Sequence, residues 1–309
     1  MIIKYQVCFK LIKLILTSMK LIKPSFEIIE SQGYLKDIEV AGRTCYKSED
    51  KITSDSAKEF VNRMINSKHF AMLEHGTIYL YLYPGCPITG YKYRDNKYSK
   101  YVEIRESEKS SPQIHKFITT NYRVLVENGW IDDLQYQCES TEYHEKRTSV
   151  RFICDRGVTH EFVRHRVFSF AQESTRYCNY SKDKFHNELT FILPCWSKIE
   201  PIRIEDRIEL RKFIWGTSDT INEITFDQSW LHILLDSEIT YCGLISRGYT
   251  PQQARAILPN SLKSELVMTG FDSDWECFFK LRDDSHAHPQ AFELAHPLHE
   301  EFIKLNKCK

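Results

Sequence analysis

The chain has 309 residues, of which 42% are hydrophobic and 27% charged, an ordinary mix for a soluble globular protein with enough length to bury a sizeable core. Lys+Arg and Asp+Glu both number 42, so no net field draws the chain to nucleic acid or to an acidic membrane, and any anion binding must come from local clusters. The ten cysteines contain no CxxC pair and no zinc-finger arrangement with histidine, which excludes that class and points to reduced, buried thiols in a reducing cytoplasm.

Residues 1–18, MIIKYQVCFKLIKLILTS, are apolar and basic, but Lys10 and Lys13 interrupt the run and no small-residue cleavage site follows. The run is also too short to span a bilayer. Met19 opens MKLIKPSFEII, so 1–18 reads as a disordered or misassigned tail ahead of a domain covering 19–309. Leu35 to Tyr46 contains AGRTCY, with Gly42 as a turn residue and Cys45 as a thiol at a helix-to-loop transition. Ser56-x-x-Glu59 has the form of a capping box, and Ala57, Phe60, Val61, Met64 and Ile65 predict an amphipathic helix ending near Ser67. His69-Phe-Ala-Met-Leu-Glu74-His75 follows, then a β-rich run from Thr77 in which His75 reads as a cap.

From Pro84 to about Thr148 comes a polar, tyrosine-rich stretch and then an amphipathic helix predicted from about Pro112 to a stop at Gly129. Its tyrosines and lysines suit single-stranded nucleic acid, but interleaved acidic residues argue against that partner. Ser149–Asp155 alternates as a strand, and Thr159 is placed to cap a helix carrying Phe162, Val163 and an arginine cluster. Phe191 opens a short apolar run stopped by Pro194. Asp206–Trp215 and Trp230–Arg247 are helical in period, the second stopped by Gly248. Thr250-Pro251 opens another helix as cap and first residue, and Pro289 suits the first turn of a last one. Trp275, Phe278 and Phe279 sit at helical spacing as core. His286, His288, His296 and His299 lack the second acidic cluster a metal site needs, so no metal is expected.

The chemistry concentrates in HEFVRHRVFSFAQESTRYCNY, residues 160–180. Arg164, His165 and Arg166 are followed seven residues later by Ser174, and then by Thr175, Arg176 and Tyr177, with Val163, Val167, Phe168 and Phe170 crowding the charges. A guanidinium among apolar neighbours needs an anion, and its fork fits phosphate or carboxylate through two bonds. The cluster therefore reads either as a site for a phosphorylated small molecule or as a set of structural salt bridges.

The RHRx7S pattern of Arg164-His165-Arg166 and Ser174, continued by Arg176-Tyr177, resembles the signature of the flavin-dependent thymidylate synthase (ThyX) family. Three further stretches agree in order. His69 to His75 resembles the HxxxxEH segment that lies against the flavin, QQARAILP resembles ARxxLP, and Lys280 to His288 resembles LRxDSHAQ. AGRTCY is similar to the flavin-touching AARxSY, with Cys45 in place of a serine. The resemblance implies an α/β fold in one domain, with a central, mostly antiparallel sheet flanked by long helices, assembled as a homotetramer with active sites at subunit interfaces. Against compact relatives, about 84–148 is an insertion of roughly sixty residues, large enough for a small helical subdomain.

The implied reaction is the reductive methylation of dUMP to dTMP. Methylenetetrahydrofolate gives the carbon, and FAD reduced by NADPH gives the electrons. By match, Glu161, Gln172, Glu173, Ser174, Arg176, Arg255 and Arg282 hold dUMP, and Cys45, His69, Glu74, Arg164, His165 and Arg166 hold FAD. Arg282, Ser174 and His69 carry the catalytic expectation. Relatives carry Glu at the position of Gln172 and Gln at that of Glu161, and no adenine contacts transfer to Phe271, Ser273 or Cys277. Pro194-Cys195-Trp196 superficially resembles the Pro-Cys-His site of the folate-only synthases, but Trp196 replaces the activating histidine, so no covalent thiol chemistry is expected. The competing readings are a non-catalytic nucleotide- or RNA-binding module built on the same arginines, and a metal-dependent phosphohydrolase. No nucleic acid and no membrane are expected as partners.

Overall fold

The computed structural model describes residues 18–106, 113–185, 187–205, 210, 211, 214 and 225–308. Residues 1–17 of the expected 1–18 tail lie outside the described residues, and Ser18 is the buried first residue of a strand. Strands β1 (Ser18–Ile22) and β2 (Ser25–Ile29) lead into helix α1 (Tyr34–Tyr46), so AGRTCY is helical and Gly42 is no turn residue. A Cβ at Gly42 would come within 2.5 Å of the Phe60 ring, so the missing side chain is what lets α1 approach helix α2 (Ser56–Asn66). Helix α2 has the expected apolar face but not the expected cap. Asp55 holds the cap position, and the Ser56 hydroxyl instead accepts from the Thr53 N–H at 2.8 Å. A 3-10 turn over Phe70–His75 then enters strand β3 (Thr77–Leu82).

Helix α3 (Tyr91–Arg94), strand β4 (Lys100–Glu106), strand β5 (Gln113–Asn121) and helix α4 (Tyr122–Asn128) follow. The single helix expected from Pro112 to Gly129 is therefore corrected. QIHKFITTN is β-branched at Ile118, Thr119 and Thr120, fits the pleat, and pairs with β3 from Lys116↔Leu82 to Asn121↔Thr77. Helix begins only at Tyr122, where Asn121 accepts from the Val124 N–H at 3.2 Å, and it ends at Gly129 with φ 68°. The 84–148 segment is accordingly built on a sheet, not as a helical subdomain.

Strand β6 (Arg147–Asp155), helix α5 (Arg156–Phe162), strand β7 (Ser169–Gln172), strand β8 (Glu188–Ile192) and strand β9 (Ile202–Ile204) come next. The cap of α5 is Asp155, which accepts from the Val158 N–H at 2.7 Å. Thr159 lies inside the helix, and the arginine cluster falls in the turn after it. Most of the helix expected over Asp206–Trp215 lies outside the described residues. Helix α6 (Phe226–Ser246) starts at a Thr225/Gln228 capping box and stops before Gly248, at φ 89°. Helix α7 (Pro251–Ala254), strand β10 (Lys263–Phe271), helix α8 (Asp272–Arg282) and helix α9 (Pro289–Lys304) complete the order, with proline opening α7 and α9 as expected.

The strands form three sheets among the described residues rather than one central sheet: β8-β1-β9, β2-β6-β10-β7 and β3-β5-β4. All described pairings are antiparallel except β1 with β8, so the mixed α/β, antiparallel character holds. The four-stranded sheet positions the site. One face packs Phe152, Leu266 and Met268 on Trp275, Phe278 and Phe279, all buried as the sequence predicted; each such aromatic contributes ~1.5–3 kcal/mol. The opposite face brings Ala171 and Val267 onto Ala41 of α1. No described helix is long and apolar enough to cross a membrane.

Candidate functional site

The arginine cluster occupies the turn between α5 and β7. His165 and Phe168 close it through backbone bonds, His165 N–H to Phe162 and Phe168 N–H to the His165 carbonyl, both 3.1 Å. Phe168 packs inward, but Val163 and Val167 are 36% and 63% exposed, so the apolar crowding expected around the guanidiniums is only partly formed. Arg164 and Arg166 face outward. Arg164 has one loose carboxylate neighbour, Glu161 at 3.8 Å, and among the described residues no carboxylate is within ion-pair distance of Arg166.

Arg282, the last residue of α8, reaches this turn from a point 117 positions away. Its Nε–H donates to His165 Nε2 at 3.0 Å, Nη1 to a Glu161 carboxylate oxygen at 2.6 Å and Nη2 to the Glu161 carbonyl at 2.7 Å. Arginine has no acceptor, so His165 Nε2 must be unprotonated and its proton sits on Nδ1. Burial pushes the His165 pKa down to about 4, helped by the Arg282 and Arg164 charges. Three of the five guanidinium donors of Arg282 are thus taken by the protein, and two remain for a ligand.

Behind β7 the surroundings change. Gln172 donates to Thr159 Oγ1 at 2.9 Å and to Ser264 Oγ at 3.2 Å. Glu173 is buried, takes Lys263 Nζ at 2.8 Å and the Tyr180 hydroxyl at 2.9 Å, and so has little capacity left for a ligand. Lys263 also reaches Glu265 at 2.6 Å, and Lys47 joins Glu265 from the end of α1 at 2.8 Å. These two lysines hold the Glu265 carboxyl down at about 2 against its burial. Ser174 sits on this base, its N–H donating to the Cys45 carbonyl at 3.0 Å. The Cys45 thiol itself is pushed up to about 11 by burial and by Glu173, so it stays protonated. Arg255 Nη1 donates to Thr175 Oγ1 at 3.2 Å, beside Arg176. Among the described residues neither Arg176 nor Arg255 has a carboxylate within ion-pair distance. The structure therefore brings Cys45, Ser174, Thr175, Arg176 and Arg255 together.

His69 and Glu74 approach from the 3-10 turn. His69 Nδ1 lies 2.8 Å from the Tyr46 hydroxyl, and the Tyr46 ring is 5.8 Å from that of Tyr177, which links this turn to the Ser174 loop. The Glu74 carboxylate is already paired with Arg123 of α4 at 2.5 Å. His75 is no surface cap: it is 1% exposed, its Nδ1 lies 2.8 Å from Thr269 Oγ1, and burial takes its pKa down to about 3. Of the histidines considered for a metal, His296 and His299 share Asp283 at 2.8 and 2.7 Å, and His286 bonds Asp284 at 2.8 Å. The nine described cysteines are free, and Cys195 and Cys277 are exposed where burial was expected. Sequence reasoning missed Tyr46, Lys47, Arg123, Arg147, Lys263 and Glu265. The charges of Lys263 and Glu265 at the head of an otherwise apolar strand were the readable signal for two of them.

The model of the family described as thymidylate synthase complementing protein matches residues 97–305, about two-thirds of the chain. The chain belongs to this family. The match takes in the arginine turn, Ser174, Arg255 and Arg282, and it begins inside the 84–148 segment. The chain is 34% identical over 142 residues to the flavin-dependent thymidylate synthase of Corynebacterium diphtheriae, covering 45% of this chain and 50% of that protein. It is 30% identical over 176 residues to the enzyme of the same name from Pyrococcus horikoshii, covering 57% and 62%. The chain thus spans half to three-fifths of the length of these two relatives. A solved UMP/dUMP methylase from Streptomyces cacaoi is similar over 93% of this chain and 92% of its own, at TM-score 0.42 and 14% identity.

Proposed function

We propose that this member of the thymidylate synthase complementing protein family is a flavin-dependent thymidylate synthase that converts dUMP to dTMP. The observation that carries the reading is that Arg255 donates to Thr175 while the adjacent Arg176 lies over the Tyr177 ring, and neither guanidinium has a carboxylate partner among the described residues. Two uncompensated guanidiniums beside the Ser174 hydroxyl suit a dianionic phosphate. Arg282 and neutral His165 would orient the pyrimidine end. Two guanidinium donors of Arg282 remain to meet negative charge as it develops on uracil. Ser174 has no histidine–carboxylate pair among its described contacts, so its role is to bind rather than to attack. Gln172, held by Thr159 and Ser264, and Glu161, held by Arg282, would shape the pocket wall.

The residues fit FAD. Arg164 and Arg166 face outward, Arg164 with only Glu161 at 3.8 Å and Arg166 with no carboxylate among the described residues, which suits a diphosphate, and His69 and Glu74 lie on the segment that Tyr46 links to the Ser174 loop. Cys45 would offer that cofactor its backbone and a weak thiol in place of a hydroxyl. FAD, when bound, would supply electrons taken from NADPH, with methylenetetrahydrofolate as the carbon donor. Arg164 and Arg166 precede β7 while Arg176 follows it, and all three point outward. That arrangement supports a homotetramer in which neighbouring copies complete each site. The reading takes the chain as one cytoplasmic domain in which 84–148 is an insertion. The test is direct. The purified protein should show oxidised-flavin absorbance and form dTMP from dUMP, NADPH and methylenetetrahydrofolate. A colourless protein that binds dUMP without turnover would leave a nucleotide-binding module instead.

A further inference from the structure

The 84–148 segment is fastened to the His69–His75 turn in three places. Strand β5 pairs with the whole of β3 through Lys116–Asn121, and the Tyr122 N–H donates to the Gly76 carbonyl at 2.9 Å. The third place is Glu74 itself, gripped from both sides. Arg123 Nη1 holds its carboxylate at 2.5 Å while Arg123 Nη2 is steadied by Glu127 at 2.9 Å. From the far end of the segment, Arg147 Nη1 donates to the Glu74 carbonyl at 3.0 Å and to Thr77 Oγ1 at 3.3 Å. The other arm of Arg147, Nη2, reaches Ser169 Oγ at 3.4 Å. Ser169 is the first residue of β7 and lies three positions after Arg166. Arg147 therefore bridges the Glu74 turn and the arginine turn, and the Phe271 ring covers its guanidinium at 5.5 Å. Among the described residues no carboxylate is in ion-pair contact with Arg147, so its donors serve backbone and hydroxyl oxygens, as a structural brace would.

We propose that Arg123 and Arg147 are positioning residues through which the 84–148 segment forms part of the flavin site. Arg123 neutralises and aims the Glu74 carboxylate, and Arg147 fixes the distance from Glu74 to the arginine turn. This rests on the flavin reading above and deepens it, because a segment that could pass for a surface addition supplies the counter-charge to a cofactor-facing acid.

The experiment uses the full chain stripped of flavin and titrated with FAD, with the reduction potential of the bound flavin as a second readout and the melting temperature as a check on folding. Arg123→Met should weaken FAD binding about tenfold, ~1.4 kcal/mol. It should also lower the potential, because an unpaired carboxylate opposes the negative charge that reduction adds to the flavin. Adding Glu74→Gln to that variant should restore the potential, and Arg123→Lys should recover most of the affinity. A merely structural role would move the melting temperature and leave the potential alone. If Arg123→Met does not fold, Glu74→Gln alone decides, since it removes a negative charge beside the cofactor while Arg123 keeps Glu127, and it should raise the potential. An unchanged affinity and potential in a folded Arg123→Met or Glu74→Gln protein overturns the inference and leaves the synthase reading standing. A wild-type chain that takes up no FAD overturns both, and that result is visible before any variant is made.

Discussion

Ahead of β7, Arg282 closes on Glu161 and His165, and behind it Arg176 and Arg255 have no carboxylate partner among the described residues. The same side chain does two different jobs four residues of strand apart. In the first region the Arg282 charge is balanced by Glu161, so the arrangement holds a geometry and keeps His165 neutral. In the second the balance sits one layer down, where Lys47 and Lys263 answer Glu173 and Glu265, and the arginines above are left for an anion. The difference teaches that a count of arginines does not locate a phosphate site. What locates it is which guanidiniums the protein has already neutralised.

The comparison breaks first at the open region. Replacing both Arg176 and Arg255 with alanine should weaken dUMP binding about 100-fold, ~2.7 kcal/mol, with little change in melting temperature, as read by calorimetric titration. A loss of stability without a loss of binding would make these arginines structural. Gly42→Ala tests the support beneath the same region, because a methyl 2.5 Å from the Phe60 ring must push α1 and with it the Cys45 carbonyl that receives Ser174. It should cost about 1–3 kcal/mol of stability in thermal unfolding and raise the KM for dUMP.

Arg282→Lys probes the closed region. It keeps the charge but loses the fork, so turnover should fall about tenfold, ~1.4 kcal/mol, with the larger part in kcat. An unchanged kcat would remove Arg282 from the reacting end. The smallest effect belongs to Cys195, an exposed thiol whose pKa is raised by burial of its sulfur and by Glu293. Cys195→Ala should keep dTMP formation, and intact mass with 5-fluoro-dUMP and the folate should show no adduct. Lost turnover in a folded, flavin-bound variant would make this thiol the nucleophile.

The contacts that periodicity and motif could reveal were local ones. Helix α2, helix α6, the proline-opened helices and the aromatic stripe of α8 are visible because burial repeats along a single element. Gly42 was misread because a helical glycine needed for close packing looks the same in sequence as a turn glycine. Strand β5 was misread because QIHKFITTN continues without a break into helix α4, and only Asn121 marks the change. At the site, the resemblance named Arg282 and His165, but nothing in the spacing said that one donates to the other across 117 positions. Arg123, Arg147 and the Lys263–Glu173 pair were missed for the same reason: each acts on a partner far away in the chain.

His75 lies buried between the four-stranded sheet and the β3 sheet, bonded to Thr269 of β10, and it is neutral there. In the unfolded chain its imidazole takes a proton near pH 6.5, whereas in the folded chain it does so only at about 3. Its share of stability is therefore complete above pH 6.5 and is lost progressively as the pH falls from there toward 3, because over that range the unfolded state binds the extra proton. Acid thus works against the seam between these two sheets, where Arg147 already sets a positive charge against protonation. The turn bearing His69 and Glu74 runs into His75 at that same seam, so protonation of this one imidazole would work against its attachment to β10.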